Sequence, residues 1–120
     1  GRKAACLADA AVGSVGRSLG AAANRSLTPA GRQLTEHALE SLERHGFRHL
    51  SEVDDIIGGA TRRATQADGA SVFVRQVGSG GRARFDVIIE GEEGIVTGLR
   101  GLRRNQLESQ AGRYGWEWLP

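Results

Sequence analysis

Apolar residues recur at helical spacing from about Leu34 to Arg44. Leu34, Ala38, Leu42 and His45 share one face, with Leu39 beside them, which predicts an amphipathic helix. Gly46 is a suitable stop, because a glycine just past a helix takes the left-handed conformation without strain. A second helix is predicted from Ser51 to Ile57. Ser51 caps it, Asp54 completes an approximate capping box, and Val53, Ile56 and Ile57 form its buried face. The period then changes to two. Strands are predicted over 70–77, 84–89 and 95–99, joined by turns at 78–81 and 91–94. A short final helix is expected from Arg103 to Tyr114. The tail after it carries Trp116 and Trp118, expected to pack on the sheet or cap the end of the core. This order predicts an α+β domain: N-terminal helices on one face of an antiparallel meander of at least three strands, then a short C-terminal helix.

Residues 1–26 break that pattern. They are rich in Ala, Gly and Ser and nearly devoid of large apolar side chains, so they read as a linker or a loosely packed helix. Thr28-Pro29 marks the boundary, since the residue before proline is pushed away from helical geometry. The folded body is therefore placed at residues 27–120. A chain of 120 residues, 39% hydrophobic and 25% charged, fits one modest core. No apolar run approaches the length of a bilayer-spanning helix. Gly1-Arg2-Lys3 is basic, but Ala4 to Ala23 is too small and glycine-interrupted for a signal peptide. The lone cysteine, Cys6, excludes an internal disulfide and a cysteine-built zinc site.

Charge adds a second layer. The net charge is only +2, but it is unevenly spread. Residues 34–56 hold six acids against Arg44 and Arg48, whereas the chain from Gly58 onward holds nine arginines against seven acids. Of sixteen basic residues only Lys3 is lysine. The guanidinium fork suits phosphate and stacks on bases, although a GC-rich coding sequence would also raise arginine.

Three stretches carry a family resemblance: Leu34-Thr35-Glu36-His37-Ala38, Val53-Asp54-Asp55-Ile56-Ile57 with Arg62-Arg63-Ala64-Thr65, and Gly94-Ile95-Val96-Thr97-Gly98. With the element order, they make the chain resemble the barnase–EndoU–colicin–RelE superfamily of ribonuclease toxins over roughly residues 30–115. The nearest variants are the C-terminal toxin domains of contact-dependent inhibition and other polymorphic toxin proteins. The resemblance implies cleavage of RNA, often transfer RNA, and a cognate immunity protein over the active site. It also implies delivery from the cell surface within a larger protein, and action in the cytoplasm of a target bacterium. The chain departs from the best-known members. It lacks barnase's pairing of a central-strand glutamate with a late histidine, and it lacks the His-His-Lys set of EndoU. No histidine follows His49.

Metal-free RNA cleavage needs a base for the ribose 2′-hydroxyl, donors for the phosphoryl oxygens and a proton for the leaving 5′-oxygen. The product is a 2′,3′-cyclic phosphate, and no cofactor or metal is required. His37 borders the apolar stripe one turn before Ser41, and histidine as a type exchanges protons near neutral pH; its bland reading is a boundary histidine bonded to backbone. Arg63 and Thr65, with Arg62, are expected on a loop facing the open side of the sheet, where they would grip a phosphate. Gln66 and Asp68 are weaker neighbours. Thr97 places a hydroxyl in an otherwise apolar strand. The expected catalytic set is thus His37, Arg63, Thr65 and Thr97, with Arg62, Arg75 and Arg84 binding RNA. Exposed loop, strand and surface roles are the plain alternatives for all of these. His45 ends the first helix, where the helix dipole favours a cation, and Gly46 separates it from His49 as a metal pair. A monomer is expected in the absence of a partner. Two other readings stay open: a non-catalytic RNA- or protein-binding module, and a toxin of different chemistry such as a nucleotide-modifying transferase. A single cysteine argues strongly against a zinc deaminase, which needs a His/Cys/Cys set.

Overall fold

A computed structural model describes residues 27–120. The segment 1–26, expected to be a leader, lies outside the described residues. The elements are α1 (Ala38–Arg44), α2 (Ser51–Gly58), β1 (Arg62–Thr65), β2 (Ser71–Val77), β3 (Arg84–Gly91), β4 (Gly94–Leu102), α3 (Arg104–Tyr114) and β5 (Glu117–Trp118). The fold is α+β, with five strands in the order β4-β3-β2-β1-β5, every neighbour antiparallel. The meander expected from the alternating runs is β2–β3–β4.

Two strands escaped the pattern. Residues 62–65 were expected to be a loop and instead form β1. The sequence Arg-Arg-Ala-Thr offers one apolar side chain, Ala64, so it carries no alternation to read. β5 is two residues long, too short for any period. The first helix also begins later than its spacing suggests. Residues 33–35 run alongside β4 instead: Thr35 N–H donates to the Ile95 carbonyl at 2.9 Å, and Ile95 N–H donates to the Gln33 carbonyl at 2.8 Å. Leu34 keeps its place against the core from this extended segment.

The N-terminal helices share one face of the sheet, as expected, and the C-terminal helix takes the other. Val87 and Ile89 of β3 pack with Val72, Val74, Leu107 and Trp116. Ile88, between them, packs with Leu42, Phe47, Val53 and Ile56. Successive strand residues point to opposite faces, so the sheet is buried on both. α1 and α2 cover one face and α3 the other. The unbroken run Val87-Ile88-Ile89 is the pattern of a strand buried on both sides.

Topology explains why α3 lies where it does. β4 and β5 run in the same direction at opposite edges, so the chain must cross the sheet. Four strand spacings make about 19 Å, and eleven helical residues make about 16 Å. Gly115 ends the crossing with φ 64°, and the Ala67 N–H then donates to the Tyr114 carbonyl at 3.1 Å. The Trp116 indole N–H donates to Gln66 Oε1 at 2.9 Å, which seats the tail on the β1–β2 turn.

At Gly98 the backbone of β4 meets the α1 side of the core. A Cβ there would lie 2.8 Å from Ile88 Cδ1 and Phe47 Cζ and 2.9 Å from Leu42 Cδ2. Gly98→Ala is expected to cost about 1–3 kcal/mol by overpacking. Gly115→Ala is expected to cost about 1–2 kcal/mol, since it forces a left-handed side chain against Ala67 Cβ at 2.9 Å. Urea denaturation of each variant checks both, and a midpoint equal to that of the native chain would refute the corresponding contact.

Candidate active site at the edge strand

Thr97 lies on β4, the edge strand. Ile89 pairs with Thr97 and Glu90 with Ile95, which leaves Val96 as an extra residue in a bulge. Bulges re-aim the side chains beside them. The Thr97 hydroxyl meets the Ser41 hydroxyl of α1 at 2.5 Å, across 56 residues of sequence, and either oxygen can be the donor. Both residues are half-buried. His37 starts the helical turn that carries Ser41: its carbonyl accepts from the Ser41 N–H at 3.1 Å. His37 is exposed at the N-cap of α1. Residues four apart on a helix are surface neighbours. Two hydroxyls therefore meet where α1 crosses β4, with His37 one helical turn before Ser41.

The other expected site residues lie elsewhere. Thr97 shares a row of the sheet with Ile89, Val72 and Ala64. Arg63 and Thr65, flanking Ala64, are thus three strand spacings away, about 14 Å. The Arg63 guanidinium lies 5.3 Å from the centre of the Phe73 ring, and Arg62 stacks 3.7 Å above Trp118. Thr65 is exposed opposite Ser71 and Glu117. Arg75 is engaged by Asp86, with Nη2 donating to Oδ2 at 2.8 Å. Asp86 is buried, and its other oxygen accepts from the Gly101 N–H at 2.9 Å. Arg84 lies at the far end of the sheet, in a cleft shared with Arg103 and Arg104.

Three residues were missed by sequence reasoning. Ser41 is one helical turn after His37, a signal open to a reader looking for a second hydroxyl. Arg103 and Arg104 form a basic doublet at the predicted start of the last helix, where acids are the usual choice.

Among the described residues, no three His, Cys, Asp or Glu side chains cluster in a way that would hold a metal ion, and no helix is long and apolar enough to cross a membrane. No protein-family model, curated protein or solved structure matches the chain.

His45 behaves differently from the helix-dipole expectation. It is the C-cap of α1, where a cation is favoured, yet its pKa is held below the ordinary 6.5, first by burial and second by the neighbouring Arg44 charge. The folded chain therefore binds this proton less readily than the unfolded chain. Stability from this group is present above pH 6.5 and lost as the pH falls through the depressed folded value. His45→Gln should flatten the decline in stability between neutral and mildly acidic pH. Denaturation midpoints across that range check it; parallel slopes for variant and native chain would rule out His45 as the source.

Proposed function

We propose that this domain is a small, metal-independent ribonuclease, the toxin domain of a delivered bacterial toxin, with its reacting centre at the α1–β4 crossing. The observation that carries this reading is the Ser41–Thr97 contact. It draws the helix of His37 onto the strand of Thr97, so that two residues singled out separately in the sequence share one edge. The α+β arrangement of N-terminal helices on an antiparallel sheet supports the superfamily resemblance.

The proposed chemistry is spare. The His37 imidazole takes the proton of a ribose 2′-hydroxyl, and that oxygen attacks the adjacent phosphorus. The Ser41 and Thr97 hydroxyls donate to the phosphoryl oxygens as charge gathers on them. The P–O5′ bond breaks, and because the edge is open to solvent the leaving oxygen takes its proton from water. The product is a 2′,3′-cyclic phosphate. Transfer RNA is the proposed substrate. A cognate immunity protein is the proposed partner, neutralising the toxin until it reaches the cytoplasm of a target bacterium.

A specific observation favours a second reading, a non-catalytic RNA- or protein-binding module. Glu36, Glu40 and Glu43 are exposed on and beside α1 around His37, and Arg63 and Thr65 stand three strands from Thr97. The expected phosphate-gripping Arg63 therefore stands away from the edge that holds His37.

Expression of the chain from a tightly repressed promoter, followed by a denaturing gel of total RNA, separates the two. The expected result is discrete fragments ending in 2′,3′-cyclic phosphate. His37→Ala should reduce cleavage by about 10²–10⁴-fold and Thr97→Ala by about 10²-fold. Growth arrest with intact RNA would sink the ribonuclease in favour of another toxin chemistry. RNA retention without cleavage would leave the binding module. Cleavage untouched by either substitution would keep the activity and move its site.

A further inference from the structure

At the end of the sheet where β2 turns into β3 and β4 into α3, a cleft of about 490 Å³ opens to solvent. Gly80 and Gly81 form one wall, in a short 3-10 turn; Arg84, Arg103 and Arg104 contribute its charge. Three arginines thus converge from the first residue of β3 and the β4–α3 junction.

Their environment is unusual in three respects. First, among the described residues none of the three is in an ion pair. The paired arginines are Arg32, Arg44, Arg75 and Arg100, and Glu108, which also lines the cleft, pairs with none of the cluster. Second, Arg103 is the N-cap of α3 and Arg104 its first residue, and that first turn holds no acid. The N-terminal end of a helix carries partial positive charge, so cations there are disfavoured. The local charge opposes the fold. Third, two of the arginines are held in place. Arg84 Nη1 donates to the Ala83 carbonyl at 2.9 Å, and the Arg104 guanidinium lies 5.2 Å from the centre of the Phe85 ring. Repulsive charges held in a concave surface are poor for stability and good for binding an anion.

We infer that this cleft is a docking site for the phosphodiester backbone of single-stranded RNA, distinct from the α1–β4 crossing. The assignment of RNA rests on the ribonuclease or RNA-binding reading above; the anionic character of the ligand rests on the cleft itself. All three cations are arginines, whose planar fork binds phosphate oxygens in pairs. Two side-chain-free residues on one wall leave room for a backbone to approach. From Thr97 to Arg103 the edge strand runs about 20 Å at its usual rise per residue. A strand docked in the cleft would span several nucleotides before reaching His37. The cleft therefore positions RNA and takes no part in bond breaking.

The test uses a labelled single-stranded 2′-O-methyl oligoribonucleotide, which has no free 2′-hydroxyl and cannot be cut, so binding is measured whether or not the chain is a nuclease. Fluorescence anisotropy is read across a salt series for the native chain, the triple variant Arg84→Gln/Arg103→Gln/Arg104→Gln, and Arg113→Gln as a surface control. The expected result is a tenfold or greater loss of affinity in the triple variant only. The slope of log K against log salt should become shallower by about 2, at roughly 0.7 per phosphate contact on a single strand. The triple variant should melt at or above the native temperature in low salt, because it relieves repulsion; this also shows that it folds. Equal binding by native and triple variant overturns the site. Polyglutamate binding as tightly as the oligonucleotide, with the same dependence on these arginines, overturns RNA in favour of an acidic protein face. Inorganic phosphate competing at concentrations near the oligonucleotide's own dissociation constant overturns the polymer in favour of a free phosphate. Normal oligonucleotide binding with no RNA cleavage in cells leaves this site intact and removes the nuclease.

Discussion

The close approach of α1 to β4 governs the rest of the molecule. Edge strands of a sheet expose unpaired backbone groups and one or both faces. Here residues 33–35 hydrogen-bond along β4, and α1 then lies over it. Two glycines make this possible. A Cβ at Gly94 would lie 2.5 Å from the Gln33 carbonyl oxygen, and one at Gly98 would strike three core side chains at once. With both positions bare, Leu42 and Phe47 descend onto Ile88, and the Ser41 hydroxyl comes within reach of Thr97. Larger side chains at these points would lift the helix, open the core and separate the hydroxyls together. Packing and the candidate chemistry hang on the same absence of side chain.

The opposite half of the sheet is organised around charge and crossing geometry. Asp86 is buried beside the apolar run Val87-Ile88-Ile89, and a lone carboxylate there would be costly. It is satisfied on both oxygens, by Arg75 and by the Gly101 N–H at the point where β4 slips register against β3. The slip and the buried carboxylate explain each other: the irregular backbone frees an N–H, and the carboxylate consumes it. Past the slip the chain turns into α3, which must cross to the far edge. Its path buries Leu107 and Trp116 on the face that α1 and α2 leave bare. This is why the C-terminal helix is not a satellite but the second layer of the core.

Sequence legibility followed the strength of each local pattern. α2 could be placed from Val53, Ile56 and Ile57 with a serine before them and a glycine pair after. The β2–β4 meander could be placed from alternation and glycine turns. β1 could not, because Arg62, Arg63 and Thr65 outnumber Ala64, and its strand identity comes from β2 on one side and the tail on the other. The same holds for Trp118, which pairs only because α3 returns it to β1. In the site, His37 and Thr97 stood out as polar residues within apolar patterns. That Thr97 would meet Ser41, one turn along the helix of His37, depends on a register and a bulge that no local pattern encodes. Arg75 read as an RNA-binding cation because its partner, Asp86, lies on a different strand. Arg103 and Arg104 carried a usable signal that composition concealed, namely two cations where the electrostatics of a helix start ask for anions.

A net charge of +2 conceals a polarised molecule. Acids are concentrated on α1 and α2, over one face, and arginines without an ion-pair partner among the described residues gather at the end of the sheet beneath the other. Screening lengths in physiological salt are about 8 Å, shorter than the distance from Thr97 to the arginine cleft, so each region acts on a ligand largely on its own. An anionic polymer is repelled by the Glu36–Glu43 surface and attracted by the cleft. Docking at the cleft first is therefore the electrostatically favoured order. The acidic surface near His37 then admits only a segment already tethered nearby. Under this arrangement short oligonucleotides, unable to span both regions, lose the tether and meet the repulsion alone. The proposed ribonuclease would thus select long or structured substrates by electrostatics, without a single base contact.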